Sequence, residues 1–266
     1  MQDEHLWQMV QLRDKVEALL KRGGHSENRD QLDELLIQQP RALLAEALHS
    51  FATGEDQKNT WLTNAVRKRQ FEIVAILLYH GADAHQPCPQ RNNLTAFDGM
   101  FSHYHAQNRH LFYLMATLLN NNDVPPEREM RYPNDHLFGS DPNAMLLKVS
   151  PSDGIESATN DTPLTMAVSL ELPYTIRYLV ERRGARIDLP NGLGLRPIDV
   201  AMQLRESKAE DTILKQKILQ FLRIYQQKAD RNLAAMMSLH PRLGQKSPLQ
   251  PLSPETLRAI LNNANA

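Results

Sequence analysis

The chain has 266 residues, 41% of them apolar and only 6% aromatic, which suits thin helical layers better than a large sheet. Its 30 Lys and Arg balance 31 Asp and Glu, and this absence of a basic excess argues against a nucleic-acid binder. A single cysteine, Cys88 in the loop-like Pro87-Cys88-Pro89, excludes an intramolecular disulfide and a Cys-based zinc site.

The first 23 residues are too charged for a secretory signal, and no stretch reaches about 18 consecutive apolar residues. The expectation is a protein without a membrane span, in a reducing cytoplasm. Val16, Leu19, Leu20, Lys21, Arg22 and Gly23 read like the close of a repeat whose upstream part does not match. Leu32, Leu35 and Leu36, then Leu43, Leu44, Ala47, Leu48 and Phe51, make a further helix pair. Residues 1–58 are expected to form a divergent helical cap.

Two segments downstream share one pattern. Asn59-Thr60-Trp61-Leu62-Thr63-Asn64-Ala65-Val66 leads to an apolar stripe over 71–79 and then Gly81-Ala82-Asp83. Asp161-Thr162-Pro163-Leu164-Thr165-Met166-Ala167-Val168 leads to a second stripe and Gly184-Ala185. Thr60 and Thr162 are N-cap candidates, because a hydroxyl there accepts from an orphan backbone N–H. Pro163 suits the first helical position, and Gly81 and Gly184 suit the left-handed residue that ends a helix. Each unit reads as an antiparallel helix pair whose apolar side a neighbour must cover. Weaker copies start at Thr95-Ala96-Phe97-Asp98 and at Arg196-Pro197-Ile198-Asp199, the latter leading to a helix around Ile213 to Tyr225. From Thr60 to Thr95 is 35 residues, and from Thr162 to Arg196 is 34.

These residues resemble the ankyrin repeat: Ile73 to Asp83 matches the second half of its pattern, and Thr162 to Ala167 the first, with Thr165 in place of a His. The resemblance implies an all-α solenoid of stacked helix pairs over 59–228. The 67 residues from Thr95 to Thr162 leave room for a degenerate repeat, while Pro126, Pro133, Pro142 and Pro151 favour an insertion at about 125–160 with one short helix after Asp141-Pro142. After about residue 228, Pro241, Pro248, Pro251 and Pro254 break up a tail (229–266) that ends in a short helix with Leu257, Ile260 and Leu261.

No catalytic set stands out. The ten histidines include no HExxH pair, and His103, His105 and His110 fit a solvated face. Gly192-Leu193-Gly194 lacks the Lys-Ser/Thr of a phosphate loop and fits a turn between repeats. The expectation is therefore a chain that does no chemistry, needs no cofactor or metal, and binds a protein partner as a monomer. The alternative is an enzyme with its active site in 125–160 that uses the array to dock substrate.

The resemblance implies partner contacts late in the inner helices and at the hairpin tips. Carried over by position, these are Arg67 and Lys68, with His80 after the outer helix; then His103, Leu170 and Gln203; and at the tips Gln57, Asn59, Leu94, Leu193 and Leu195, with Trp61 beside them. Arg67-Lys68-Arg69 is the tight basic triplet and suits an acidic partner segment. The irregular repeats and the Gln/Asn-rich style are similar to ankyrin proteins that intracellular bacteria deploy in host cells. That likeness implies an effector exported into host cytoplasm without a cleaved signal, binding a host protein.

Overall fold

The computed structural model describes residues 2–21, 26–50, 59–88, 95–101, 109–119, 142–143, 161–206 and 208–239. Among them every regular element is an α-helix. The order is α1 (Gln2–Lys21), α2 (Ser26–Ile37), α3 (Arg41–His49), α4 (Trp61–Arg67), α5 (Phe71–Tyr79), α6 (Ala96–Phe101), α7 (Arg109–Leu119), α8 (Pro163–Ser169), α9 (Pro173–Glu181), α10 (Pro197–Gln203) and α11 (Ala209–Leu239). The all-helical class read from the sequence is what the chain adopts. The expected helix near Ile213 is far longer than its apolar stripe, and the boundary at residue 228 falls inside α11.

The two matching segments fold into hairpins with the same local construction. Thr60 accepts from the Thr63 backbone N–H at 3.1 Å, and Thr162 from that of Thr165 at 3.1 Å, so each hydroxyl satisfies one orphan donor of its helix. Pro163 occupies the first turn of α8, where its missing N–H costs no bond. Both short inner helices then end on a left-handed residue, Arg69 and Glu171, each at φ 55°. The next N–H reaches back five residues, Gln70 to Ala65 and Leu172 to Ala167, each at 3.0 Å, closing the free carbonyls. The outer helices α5 and α9 end at Gly81 (φ 100°) and Gly184 (φ 69°), where a side chain would strain the backbone.

Packing follows the apolar stripes. Leu62, Val66, Val74, Leu77, Leu114, Leu118, Leu164, Val168, Ile176 and Leu179 belong to one continuous buried core. Inner helix α4 packs on α6, α7 on both α5 and α8, and α8 on α10, which in turn lies against α11. The outer helices α5 and α9 also meet each other directly, although a whole helix pair separates them in sequence. At the N-terminus, α1 packs on α2 and α3, while α2 lies on α5.

Candidate docking surface

The C-terminal ends of the inner helices carry exposed side chains of mixed character. Lys68 is exposed and Arg67 half-buried at the end of α4. Leu170 is 40% exposed at the end of α8, and Met202 is 50% exposed beside exposed Gln203 on α10. Leu193 stands 67% exposed on the turn before α10, and Leu195 next to it is half-buried. Asn191 builds this turn: its side-chain oxygen accepts from the N–H groups of Leu193 and Leu195, both at 3.0 Å. Its amide donates to Asp161 at 2.8 Å, tying the tip to the start of α8.

Three of the residues read from the sequence as contacts lie elsewhere. Asn59 is 0% exposed and Trp61 1% exposed, because the first turn of α4 points into the core rather than to a tip. His80 sits at the end of α5 with Nε2 2.8 Å from Asp33 Oδ1, so α2 covers it. These three are corrected from surface contacts to structural residues. Gln57, Leu94 and His103 lie outside the described residues, as does nearly all of 125–160. Of that stretch, Asn143 accepts from the Arg186 N–H at 2.7 Å.

No motif or spacing in the sequence marks the polar cluster that joins α2, α5 and α9. Arg177 donates to both oxygens of Asp33, at 2.8 and 3.0 Å, and stacks 3.9 Å over the Tyr79 ring. Burial pushes the Asp33 carboxyl up, but the hydrogen bonds from His80 and Arg177 outweigh it and hold it below its ordinary value. Glu72, 4% exposed in the first turn of α5, accepts from the Thr175 N–H of α9 at 2.9 Å. A carboxylate from one hairpin thus caps the outer helix of another. Burial pushes Glu72 up to about 7, against the lowering effects of the Thr175 N–H and Arg29. Glu181 accepts from the hydroxyls of both Tyr79 and Tyr225. It lies in an open groove of about 770 Å³ between the end of α9 and α11, which Arg182, Arg186 and Lys228 also line.

The described residues contain no grouping of three metal-ligating side chains, and no helix among them is long and apolar enough to cross a membrane. Cys88 is buried, its sulfur 3.7 Å from the Thr63 hydroxyl.

Fold and surface together define an all-helical protein of paired short helices with an amphipathic row of exposed helix ends. Comparison with known proteins adds a particular likeness. The chain is 28% identical over 159 residues to palmitoyltransferase ZDHHC13 of Homo sapiens, a match that covers 56% of this chain and 24% of that protein. The Mus musculus palmitoyltransferase ZDHHC13 is 30% identical over the same length, and that of Pongo abelii 28%. The chain therefore spans about a quarter of the length of these relatives. No family model matches it, and no solved structure does. The expectation of a chain that is not an enzyme is overturned here, because the curated proteins it is similar to are palmitoyltransferases.

Proposed function

We propose that the chain is an ankyrin-type docking module that holds a protein partner on its inner-helix ends, and that this partner is a protein undergoing acylation. The observation that carries the reading is the exposure of Lys68, Leu170, Met202 and Gln203 at the ends of α4, α8 and α10. Apolar centres with polar and cationic flanks suit a peptide that carries both an aliphatic anchor and an acidic residue. The like-built hairpins support the ankyrin assignment, since caps and left-handed ends recur at equivalent places. The printed activity of the relatives supports the acylation half. The role assigned is docking of a protein that undergoes acylation.

The test replaces Leu170 and Met202 with Asp in one variant, and Arg67 and Lys68 with Glu in another. Capture by wild type should be enriched in proteins whose acyl groups hydroxylamine releases. Both variants should lose about tenfold of that capture while keeping the helical circular-dichroism signal. Undiminished capture by both variants, or capture without acyl enrichment, would overturn the reading.

A further inference from the structure

The open groove of about 770 Å³ between the end of α9 and α11 is built from outer helices and shares no residue with the inner-helix ends. Its cations are matched unequally. Arg186 pairs with Asp188 through Nε at 3.1 Å and a second nitrogen at 2.8 Å. Arg182 and Lys228 have no carboxylate within ion-pair distance among the described residues; each rests on an aromatic face instead. The Arg182 guanidinium lies 4.6 Å from the centre of the Tyr79 ring and donates to the Tyr79 carbonyl at 3.2 Å. The Lys228 ammonium lies 5.0 Å from the centre of the Tyr225 ring.

Glu181 holds this arrangement in place. It stands in the same groove, yet one of its oxygens accepts from the Tyr79 hydroxyl and the other from the Tyr225 hydroxyl. Both donors are neutral, so the carboxylate fixes the two rings on whose faces the cations lie. Three cations against two acids leave the groove positive, on a chain whose formal charge is −1. Lys228 is also half-buried, and a partly desolvated ammonium gains more from a carboxylate than a fully hydrated one does.

The shape selects among anions. An open groove admits a chain, and cations on two different helices call for negative charges spaced along it. Carboxylates on alternate residues of an extended peptide stand about 7 Å apart. From the unmatched cations and the open form, we propose that this groove docks an extended acidic peptide segment, with Arg182 and Lys228 taking its carboxylates. The surface goes beyond the inner-helix ends and uses other residues, so either reading can fail without the other.

Fluorescence anisotropy of labelled octaglutamate added to the full chain tests it, with octaglutamine as the neutral control. Octaglutamate should give a saturable rise that weakens as salt is added, and octaglutamine none. Lys228→Glu should weaken octaglutamate about tenfold, and Arg182→Gln, which keeps a donor for the Tyr79 carbonyl, about threefold. Ala229→Lys adds a cation at an exposed position of the groove and should tighten binding about threefold, a gain that no folding defect can produce. The variant with Arg67 and Lys68 changed to Glu should stay within about twofold of wild type. The proposal is overturned by absent saturable binding, equal binding of octaglutamine, full affinity in Lys228→Glu or Arg182→Gln, or no gain in Ala229→Lys. A loss in the Arg67 and Lys68 variant as large as in Lys228→Glu would overturn it too. So would displacement by inorganic pyrophosphate at lower concentration than by unlabelled octaglutamate, which would reveal a site for a compact anion.

Discussion

The hairpins α4–α5 and α8–α9 share a skeleton but differ in what their polar positions do. Caps and left-handed turns correspond place for place, and the terminal glycine of the second hairpin comes one residue later than that of the first. At the residue before the cap they diverge: Asp161 accepts from Thr165 and Asn191, whereas Asn59 is buried with neither amide atom bonded among the described residues. In the first turn of the outer helix they diverge again. The first hairpin has buried Glu72, and the matching position of the second is Tyr174, whose hydroxyl donates to Asp30 at 2.6 Å. The hairpin shape is thus a local property, while the links between hairpins and to α2 are individual.

Glu72 offers the largest effect with which to break this comparison. Its folded value of about 7 lies above the ordinary 4.5, so the folded chain binds that proton more tightly than the unfolded one. The contribution is fully present below about pH 4.5 and is lost as pH rises through 7. Glu72→Gln removes the buried charge while its amide oxygen still accepts from Thr175. Denaturant unfolding at pH 8 should show the variant more stable than wild type by about 3 kcal/mol, with the gap closing toward pH 5. A gap that does not change with pH would show that Glu72 is not buried as a charge. Tyr174→Phe, the matching change in the second hairpin, should show no such pH dependence.

The shared features give smaller effects. Thr60→Ala and Thr162→Ala each remove one capping hydroxyl and should each lower stability by about 1 kcal/mol. A large disparity between them, measured by thermal unfolding, would mean that the hairpins differ in more than their links. Smallest is the gain from Arg69→Gly and Glu171→Gly. Both residues hold φ 55°, where glycine relieves strain, so each variant should gain up to about 1 kcal/mol in chemical denaturation. A loss from Arg69→Gly alone would assign that side chain an interaction that outweighs its backbone strain.

What was legible in the sequence was local. A Thr three residues before its N–H donor, a Pro in a first turn and a Gly past an apolar stripe all act within one helix, and all are found where the pattern put them. The misreadings concern what distant segments cover. Asn59 and Trp61 stand at a helix start that is buried, as Asp161 and Pro163 are at the start of α8. His80 follows an outer helix and reads as solvated, yet its acid lies 47 positions back in α2. Glu72 with Thr175 and Asp33 with Arg177 join residues 103 and 144 apart, and no periodicity or spacing in either segment marks the partner. The connection with palmitoyltransferases was illegible for a different reason: no residue pattern in the chain announces that chemistry.

The contact between α5 and α9 turns a string of neighbours into a ring. When stacked hairpins touch only the next in line, order can spread from any point and fray from either end. Here the chain must bring together stretches about a hundred positions apart, and the entropy of closing so large a loop is lost before the Glu72–Thr175 bond can form. The penalty falls on the rate of assembly. In return, opening α9 also exposes α5 and uncovers the Asp30 and Asp33 face of α2, which couples the opening of these three helices.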